Sequence, residues 1–348
     1  MLPDFFNDAT RLSWSVFGST SPNPPVGAVI LDSDGNVAGR GATEPAGGRH
    51  AEIVALDEAG TRARGGRAIV TLEPCNHTGR TGPCTQALLA AGIVRVDYLF
   101  ADPFELASGG ANSLASAGVE VHGPYLPHPS QAAPWTPVQG VEAWLRGVEN
   151  KRPYVILKLA ATMDGRVAAS DGSSQWITGA AARGHAHARR AQVDAILVGT
   201  GTVEADDPKL TARDDSGQPL PKELQPLRVV MGNRSIPEDA AVLQQPGETF
   251  LARSQDVQEV LAQLDNRGVV TVLVEGGPSI AAAFMNAGVV DEINFYCASA
   301  VLGAGFNAMD GSTLEMGRTI QDIQRFKPRE IQILGNDICW ILTAGEEG

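Results

Sequence analysis

The sequence predicts an α/β protein built in two units, and three observations carry that reading. Its 348 residues exceed what a single hydrophobic core usually supports. Short β-rich apolar runs alternate with helix-patterned segments along the chain, as in a layered α/β architecture. Five prolines (Pro124, Pro127, Pro129, Pro134 and Pro137) crowd in just after Gly123, the composition of a connecting segment. The expected units are therefore residues 1–123 and 151–348, with 124–150 as a Pro-rich linker and short helix.

In chain order, Val26–Leu31 is apolar and β-rich, Asp32-Ser33-Asp34-Gly35-Asn36 supplies turn chemistry, and Val37 resumes the apolar pattern, which predicts a hairpin. His50–Ala59 is helix-patterned and stops at Gly60. Ala68–Leu72 and Val94–Phe100 are strand-like, and between them lies a helix with Pro83 near its first turn and Gly92 just past its end. Val138–Asn150 is expected to be a short helix leading into the second unit. That unit opens with the strand Tyr154–Leu159 and continues with Ala195–Val198, Leu227–Val230, Val269–Val274 and Ile293–Ala298. Gly276-Gly277-Pro278 opens an alanine-rich helix that ends near Gly288.

Composition narrows the function. The chain is 43% apolar and 19% charged, and no uninterrupted apolar run approaches the roughly 18 residues that a membrane span needs. The N-terminal residues lack a basic stretch followed by an apolar core, so a secretory leader is not expected and a cytoplasmic location is. With 40 acidic residues against 27 basic and 5% aromatics, the chain is poorly suited to grip a nucleic-acid backbone or to line a basic, aromatic channel for a flipped base. A phosphorylated small molecule remains compatible, because a few local arginines can hold one phosphate in an acidic protein.

The first unit carries a metal pattern. His50-Ala51-Glu52 is followed by Glu73-Pro74-Cys75 and, nine residues after Cys75, by Cys84. One imidazole and two thiolates leave the fourth tetrahedral position open, which is the catalytic rather than the structural arrangement for Zn²⁺. Cys84 falls at a helix start, where the positive end of the helix dipole favours thiolate. Water bound at such a site ionises near pH 7, and Glu52 stands two residues from the histidine, placed to take that water's proton and pass it to a departing amine. The competing readings are a zinc-stabilised binding module and a closed structural site with His77 as fourth ligand; for His77 a role in shaping the loop or touching substrate fits better. Cys297 and Cys339 lie in apolar strand-like runs and are expected to be buried structural thiols.

The second unit has no G-x-G-x-x-G after a strand, which disfavours a Rossmann-type dinucleotide site. Glu275-Gly276-Gly277-Pro278 between a strand and a helix offers free backbone N–H groups to an anion. Lys158 stands on a strand that otherwise reads as core, so it is expected to face a cleft and meet an anionic or polar group. Arg190 and Arg213 are the candidates for gripping a phosphate, and Asp171-Gly172-Ser173 is expected to shape the cleft entrance. No residue here stands out as a nucleophile, which suits hydride transfer from a bound cofactor.

Taken together, Ser21-Pro22-Asn23-Pro24-Pro25-Val26-Gly27, His50-Ala51-Glu52 and the run Thr71 through Cys84 resemble the deaminase half of the bifunctional deaminase/reductase family of riboflavin biosynthesis. Leu157-Lys158-Leu159-Ala160, Met163-Asp164-Gly165-Arg166, Ser174-Gln175-Trp176-Ile177-Thr178, Arg190-Ala191-Gln192, Thr202 through Thr211 and Glu275-Gly276-Gly277 resemble its reductase half. The resemblance covers nearly the whole chain. It implies a cytidine-deaminase-like three-layer domain followed by a dihydrofolate-reductase-like domain. The first would deaminate 2,5-diamino-6-(5-phosphoribosylamino)pyrimidin-4(3H)-one with zinc on His50, Cys75 and Cys84. The second would use NADPH to reduce the ribosyl chain of the product to ribityl.

By the same match, Asn23 would hold the deaminase substrate and Arg80 would sit near its phosphate. Ala160, Trp176, Thr202, Asp206 and the run Gly277, Pro278, Ser279, Ile280, Ala281, Ala282 and Ala283 would line NADPH. Lys158, Ser174, Arg190, Leu210, Arg213 and Glu275 would meet the reductase substrate. A homo-oligomer, dimer or tetramer, is expected. Two positions depart from the family pattern: Thr43 stands where a histidine is frequent, and Asp102-Pro103-Phe104 where the family has Asp-Pro-Asn.

Overall fold

The computed structural model describes residues 3–77, 82–104, 109–126, 139–214 and 216–345. The chain divides into two compact units, Met1–Lys151 and Arg152–Gly348. Most of the Pro-rich stretch lies outside the described residues. The short helix after it, Gln139–Asn150, falls in the first unit.

The first unit is a five-stranded sheet in the order β2-β1-β3-β4-β5. Its strands are β1 (Gly27–Leu31), β2 (Val37–Ala42), β3 (Arg67–Leu72), β4 (Arg95–Phe100) and β5 (Glu120–His122). β1 runs antiparallel to β2 and β3, whereas β3, β4 and β5 are parallel. The β1–β2 turn forms where the sequence placed it: the Asp32 carboxylate accepts from the N–H groups of Asp34 and Asn36, and Gly35 takes a left-handed φ of 87°.

Among the described residues, five α-helices accompany this sheet: α1 (Asn7–Ser15), α2 (Ala51–Ala59), α3 (Cys84–Ala91), α4 (Gly110–Ser116) and α5 (Gln139–Asn150). Glycines decide how closely two of them approach. A Cβ on Gly41 would lie 2.1 Å from the Ala51 carbonyl oxygen, and one on Gly39 would lie 2.1 Å from that of Ala55, so the backbone of α2 rests directly on β2. A Cβ on Gly27 would lie 1.9 Å from the Ala9 carbonyl oxygen of α1. Gly41 pairs with Ala28, the neighbour of Gly27, so Gly27 points to the opposite face of the sheet. Helices therefore cover both faces, giving three layers.

The second unit centres on an eight-stranded sheet in the order β10-β9-β8-β11-β6-β12-β15-β14. These strands are β6 (Tyr154–Thr162), β8 (Ala195–Gly199), β9 (Leu227–Met231), β10 (Thr249–Ala252), β11 (Thr271–Val274), β12 (Glu292–Ala298), β14 (Phe326–Leu334) and β15 (Asp337–Ala344); β7 (Arg166–Ala168) and β13 (Phe306–Asn307) form a separate two-stranded ladder. The first six sheet strands are parallel and the last two antiparallel. Its helices are α6 (Ala180–Arg190), α7 (Thr200–Asp206), α8 (Val257–Asp265) and α9 (Pro278–Asn286).

The core of this unit joins Val155, Leu157, Leu197, Val229, Val272 and Val274 from the strands with Leu261, Leu264, Ala281 and Phe284 from α8 and α9. Continuous apolar runs of this kind are what parallel strands covered on both faces require. Asp256 caps α8 by accepting from the N–H groups of Gln258 and Glu259. Cys339 is fully buried, as expected, while Cys297 is only half-buried. Among the described residues, no helix is long and apolar enough to cross a membrane.

Because Gly41 meets backbone rather than a movable side chain, Gly41→Ala must push α2 off the sheet. We expect it to destabilise the protein by about 1–3 kcal/mol and to lower its metal content, since His50 stands at the start of α2. Urea unfolding together with metal analysis checks this; unchanged values for both would contradict it.

Candidate active sites

In the first unit, His50 caps the start of α2, Cys75 lies in the loop after β3, and Cys84 is the first residue of α3. Their ligand atoms lie within 4.8 Å of one another. His50 Nδ1 is 3.6 Å from Cys75 Sγ and 3.3 Å from Cys84 Sγ, and the Cys84 N–H donates to Cys75 Sγ at 3.4 Å. A soft, compact set of one nitrogen and two sulfurs fits Zn²⁺ with a position left open. His77 lines the adjacent cavity but does not join the cluster.

A hydrogen bond from Cys84 draws Cys75 down to about 4, and the same bond raises Cys84. One thiolate therefore forms readily, as a zinc ligand must. Glu52 is buried beside the cluster, and burial, followed by the Cys75 charge, pushes its carboxyl up to about 7.

The loop that presents Cys75 is braced from its neighbours. The buried Glu73 carboxylate accepts from the N–H groups of Gly109 (3.1 Å) and Ala111 (2.9 Å) at the start of α4, and from Asp102 N at 3.4 Å. A Cβ on Gly110 would stand 1.8 Å from the Pro74 carbonyl oxygen, so α4 packs directly against the Pro-Cys segment. Asn76 accepts from the Thr85 hydroxyl at 3.0 Å and donates to Ser113 at 2.9 Å, tying the loop to α3 and α4.

A cavity of about 220 Å³ opens onto Glu52 and the cluster. Asn23 lines it as expected, and Arg80 lies outside the described residues. Both departures from the family pattern, Thr43 and Phe104, are in its wall. Sequence reasoning missed Trp144. This residue of α5 is buried, donates its indole N–H to the Pro22 carbonyl at 3.0 Å and meets the Phe104 ring edge-on at 5.6 Å. Within an amphipathic helix nothing in the residue type marks such a tryptophan as a pocket wall.

The second unit holds a larger cleft, of about 850 Å³, at the carboxyl ends of its parallel strands. Lys158, Ala160, Ser174, Thr202, Asp206, Glu275, Gly277, Pro278, Ser279, Ile280 and Ala283 line it, as does Gly172 of the expected entrance loop. Gly277 is the N-cap of α9, Pro278 its first residue, and the Thr202 hydroxyl accepts from Gly277 N at 3.3 Å. The cleft has room for a dinucleotide of NADPH size, and the start of α9 lies in its wall.

Other expected residues fall elsewhere. Ala281 and Ala282 are fully buried and do not line the cleft, because helical periodicity turns them inward; Ala281 belongs to the core. Trp176 is 71% exposed under the Arg183 guanidinium. Leu210 is buried with a left-handed φ of 50°. Arg213 donates to the Thr211 hydroxyl and the Gly217 carbonyl.

Arg190 grips Glu275 with two nitrogens, Nε at 2.6 Å and Nη2 at 2.9 Å, and Lys158 Nζ stands 4.0 Å from the same carboxylate. Burial raises the Glu275 carboxyl, but the Arg190 charge and hydrogen bonds outweigh it and hold the group at about 2. Lys158 thus meets the anionic partner its strand position demanded. Sequence reasoning missed Gly199 at the end of β8, Thr200 at the start of α7, and Arg234 and Gln255 in loops, since none of the four stands in a motif.

Comparison with known proteins matches both halves. The family described as the cytidine and deoxycytidylate deaminase zinc-binding region matches residues 4–100, and the RibD C-terminal domain matches residues 153–340. The riboflavin biosynthesis protein RibD of Mycobacterium tuberculosis (strain CDC 1551 / Oshkosh) is 46% identical over 336 residues, covering 97% of this chain and 95% of that protein. Among solved structures, RibD of Acinetobacter baumannii superposes with a TM-score of 0.83 at 33% identity, covering 98% of both chains. The diaminohydroxyphosphoribosylaminopyrimidine deaminase/5-amino-6-(5-phosphoribosylamino)uracil reductase of Thermotoga maritima gives 0.83 at 29% identity, covering 98% of this chain and 97% of that one. The first unit is cytidine-deaminase-like and the second dihydrofolate-reductase-like, and the chain belongs to the RibD family of bifunctional riboflavin-biosynthesis enzymes.

Proposed function

We propose that the first unit deaminates 2,5-diamino-6-(5-phosphoribosylamino)pyrimidin-4(3H)-one and that the second reduces the ribosyl chain of the product, giving 5-amino-6-(5-phosphoribitylamino)uracil. The observation that carries the reading is the pair of sites on one chain: an open His/Cys/Cys cluster beside a buried glutamate, and a cleft whose glycine-rich helix start faces a charged pocket.

In deamination, water adds to the ring carbon, the carbon–nitrogen bond breaks and ammonia leaves as a carbonyl forms. Zinc held by His50, Cys75 and Cys84 supplies the Lewis acidity that lets water ionise near neutral pH. Glu52 takes a proton from the attacking water and delivers it to the departing amine. Asn23 orients the ring and Arg80 meets the phosphate.

In reduction, NADPH supplies the hydride. Ala160, Thr202, Asp206 and the start of α9 hold the cofactor, while Ser174 and Lys158 position the substrate. Arg190 is turned toward Glu275, so it fixes that carboxylate, and Arg213 carries more of the phosphate contact.

Two finer assignments go with this reading. The chain works in the cytoplasm, where the two ligand thiols stay reduced. It also assembles as a homo-oligomer through β14 and β15, where Ile331 pairs with Trp340 and Ile333 with Ile338, all four exposed.

For the catalytic assignment, Glu52→Gln should cut ammonia release at least about 1000-fold while zinc content and NADPH oxidation on the already deaminated substrate persist. Full deaminase activity in a zinc-loaded variant would overturn the role of Glu52. For the assembly, Ile333→Glu should shift the sedimentation mass to that of one chain; an unchanged mass would refute the strip as the interface.

A further inference from the structure

The cleft of the second unit crosses the ends of four neighbouring strands, β9, β8, β11 and β6. Three strand spacings separate its two extremes, about 14 Å, a span suited to an extended dinucleotide. At the β6 end stand Lys158 and Glu275, with Arg190 behind them. On the function proposed above that charged pocket takes the substrate, so the reacting ring of the cofactor belongs there. The N-terminus of α9, which follows β11, lies between the extremes and suits the pyrophosphate. The adenosine end then falls beside the loop after β9.

NADPH differs from NADH only by a 2′-phosphate on that adenosine, and a dianion there calls for a cation. Among the described residues lining the cleft, two are cationic: Lys158 at the substrate end and Arg234 at the β9 end. The Arg234 side chain is 61% exposed, so its guanidinium can turn toward a ligand without losing buried contacts. It rests over Gly201, where a Cβ would come within 2.9 Å of Nη2, and Nε donates to the Thr200 hydroxyl at 3.3 Å. Nη1 pairs with the Glu204 carboxylate at 2.8 Å. This is an exposed ion pair of little strength, which a phosphate with two charges can displace. Arg253 donates to the Arg234 carbonyl at 3.3 Å and adds positive charge behind it.

We propose that Arg234 discriminates NADPH from NADH by pairing its guanidinium with the 2′-phosphate. The inference rests on the cofactor reading of this cleft. The test uses the full chain, as wild type, Arg234→Gln and Arg234→Lys, with calorimetric Kd values for NADPH and NADH and for the fragments 2′,5′-ADP and 5′-AMP. Arg234→Gln should weaken NADPH and 2′,5′-ADP about 10- to 100-fold and leave NADH and 5′-AMP within about twofold. Arg234→Lys should restore much of the loss, because a lysine still presents charge to phosphate. Equal weakening of NADPH and NADH, or no change in either, would overturn the role of Arg234. A wild-type chain that binds neither dinucleotide would overturn the cofactor reading itself, and this inference with it.

Discussion

The convergence of one imidazole nitrogen and two sulfurs within 4.8 Å is the constraint on which the first unit depends. The three residues come from different elements, and each element is held by backbone-level contact rather than by adjustable side chains. α2 lies on Gly39 and Gly41, so His50 and Glu52 are fixed relative to the sheet. α4 abuts Pro74 and is capped by Glu73, so the loop carrying Cys75 cannot drift. Cys84 is the first residue of α3, so its sulfur is fixed by the helix start. Preorganisation of this kind lets a metal bind without the chain having to reorder, and it keeps Glu52 in place for proton transfer.

The second unit solves a different problem. Its chemistry comes from a cofactor, so the polypeptide has to position two ligands and carry charge near them. A sheet of six parallel strands supplies a rigid floor, and the turns at its carboxyl ends supply the contacts. The Arg190–Glu275 pair is half-buried and bidentate, which fixes the carboxylate beside Lys158. Removing Arg190 would leave the carboxylate with Lys158 alone, and removing Glu275 would leave Arg190 and Lys158 without their shared carboxylate. We read the pair as a positioning device more than a source of stability.

Much of this was legible in the residues. The hairpin at Asp32–Asn36, the helix from His50 and the helix start at Gly277 and Pro278 all follow from local turn and capping chemistry, which depends only on near neighbours in the chain. The His50/Cys75/Cys84 set was legible because few arrangements of thiol and imidazole serve any purpose but metal binding. Residues without such a chemical signature were not. Trp144 reads as one more apolar residue of a helix, yet it walls the deaminase cavity and anchors the loop at Pro22. Ala281 and Ala282 came with a contiguous run, and only the helical phase shows that they face inward. Arg234 lies in a loop with no motif around it, and its place on the cleft follows from strand order, a long-range property that local pattern does not carry.

The most direct test of the metal centre is X-ray absorption at the zinc edge of the zinc-loaded full chain. The geometry predicts two sulfur and two lighter scatterers in the first shell, one of the light ones an imidazole. A shell of four protein ligands with no exchangeable light atom, or one with fewer than two sulfurs, would contradict an open His50/Cys75/Cys84 centre.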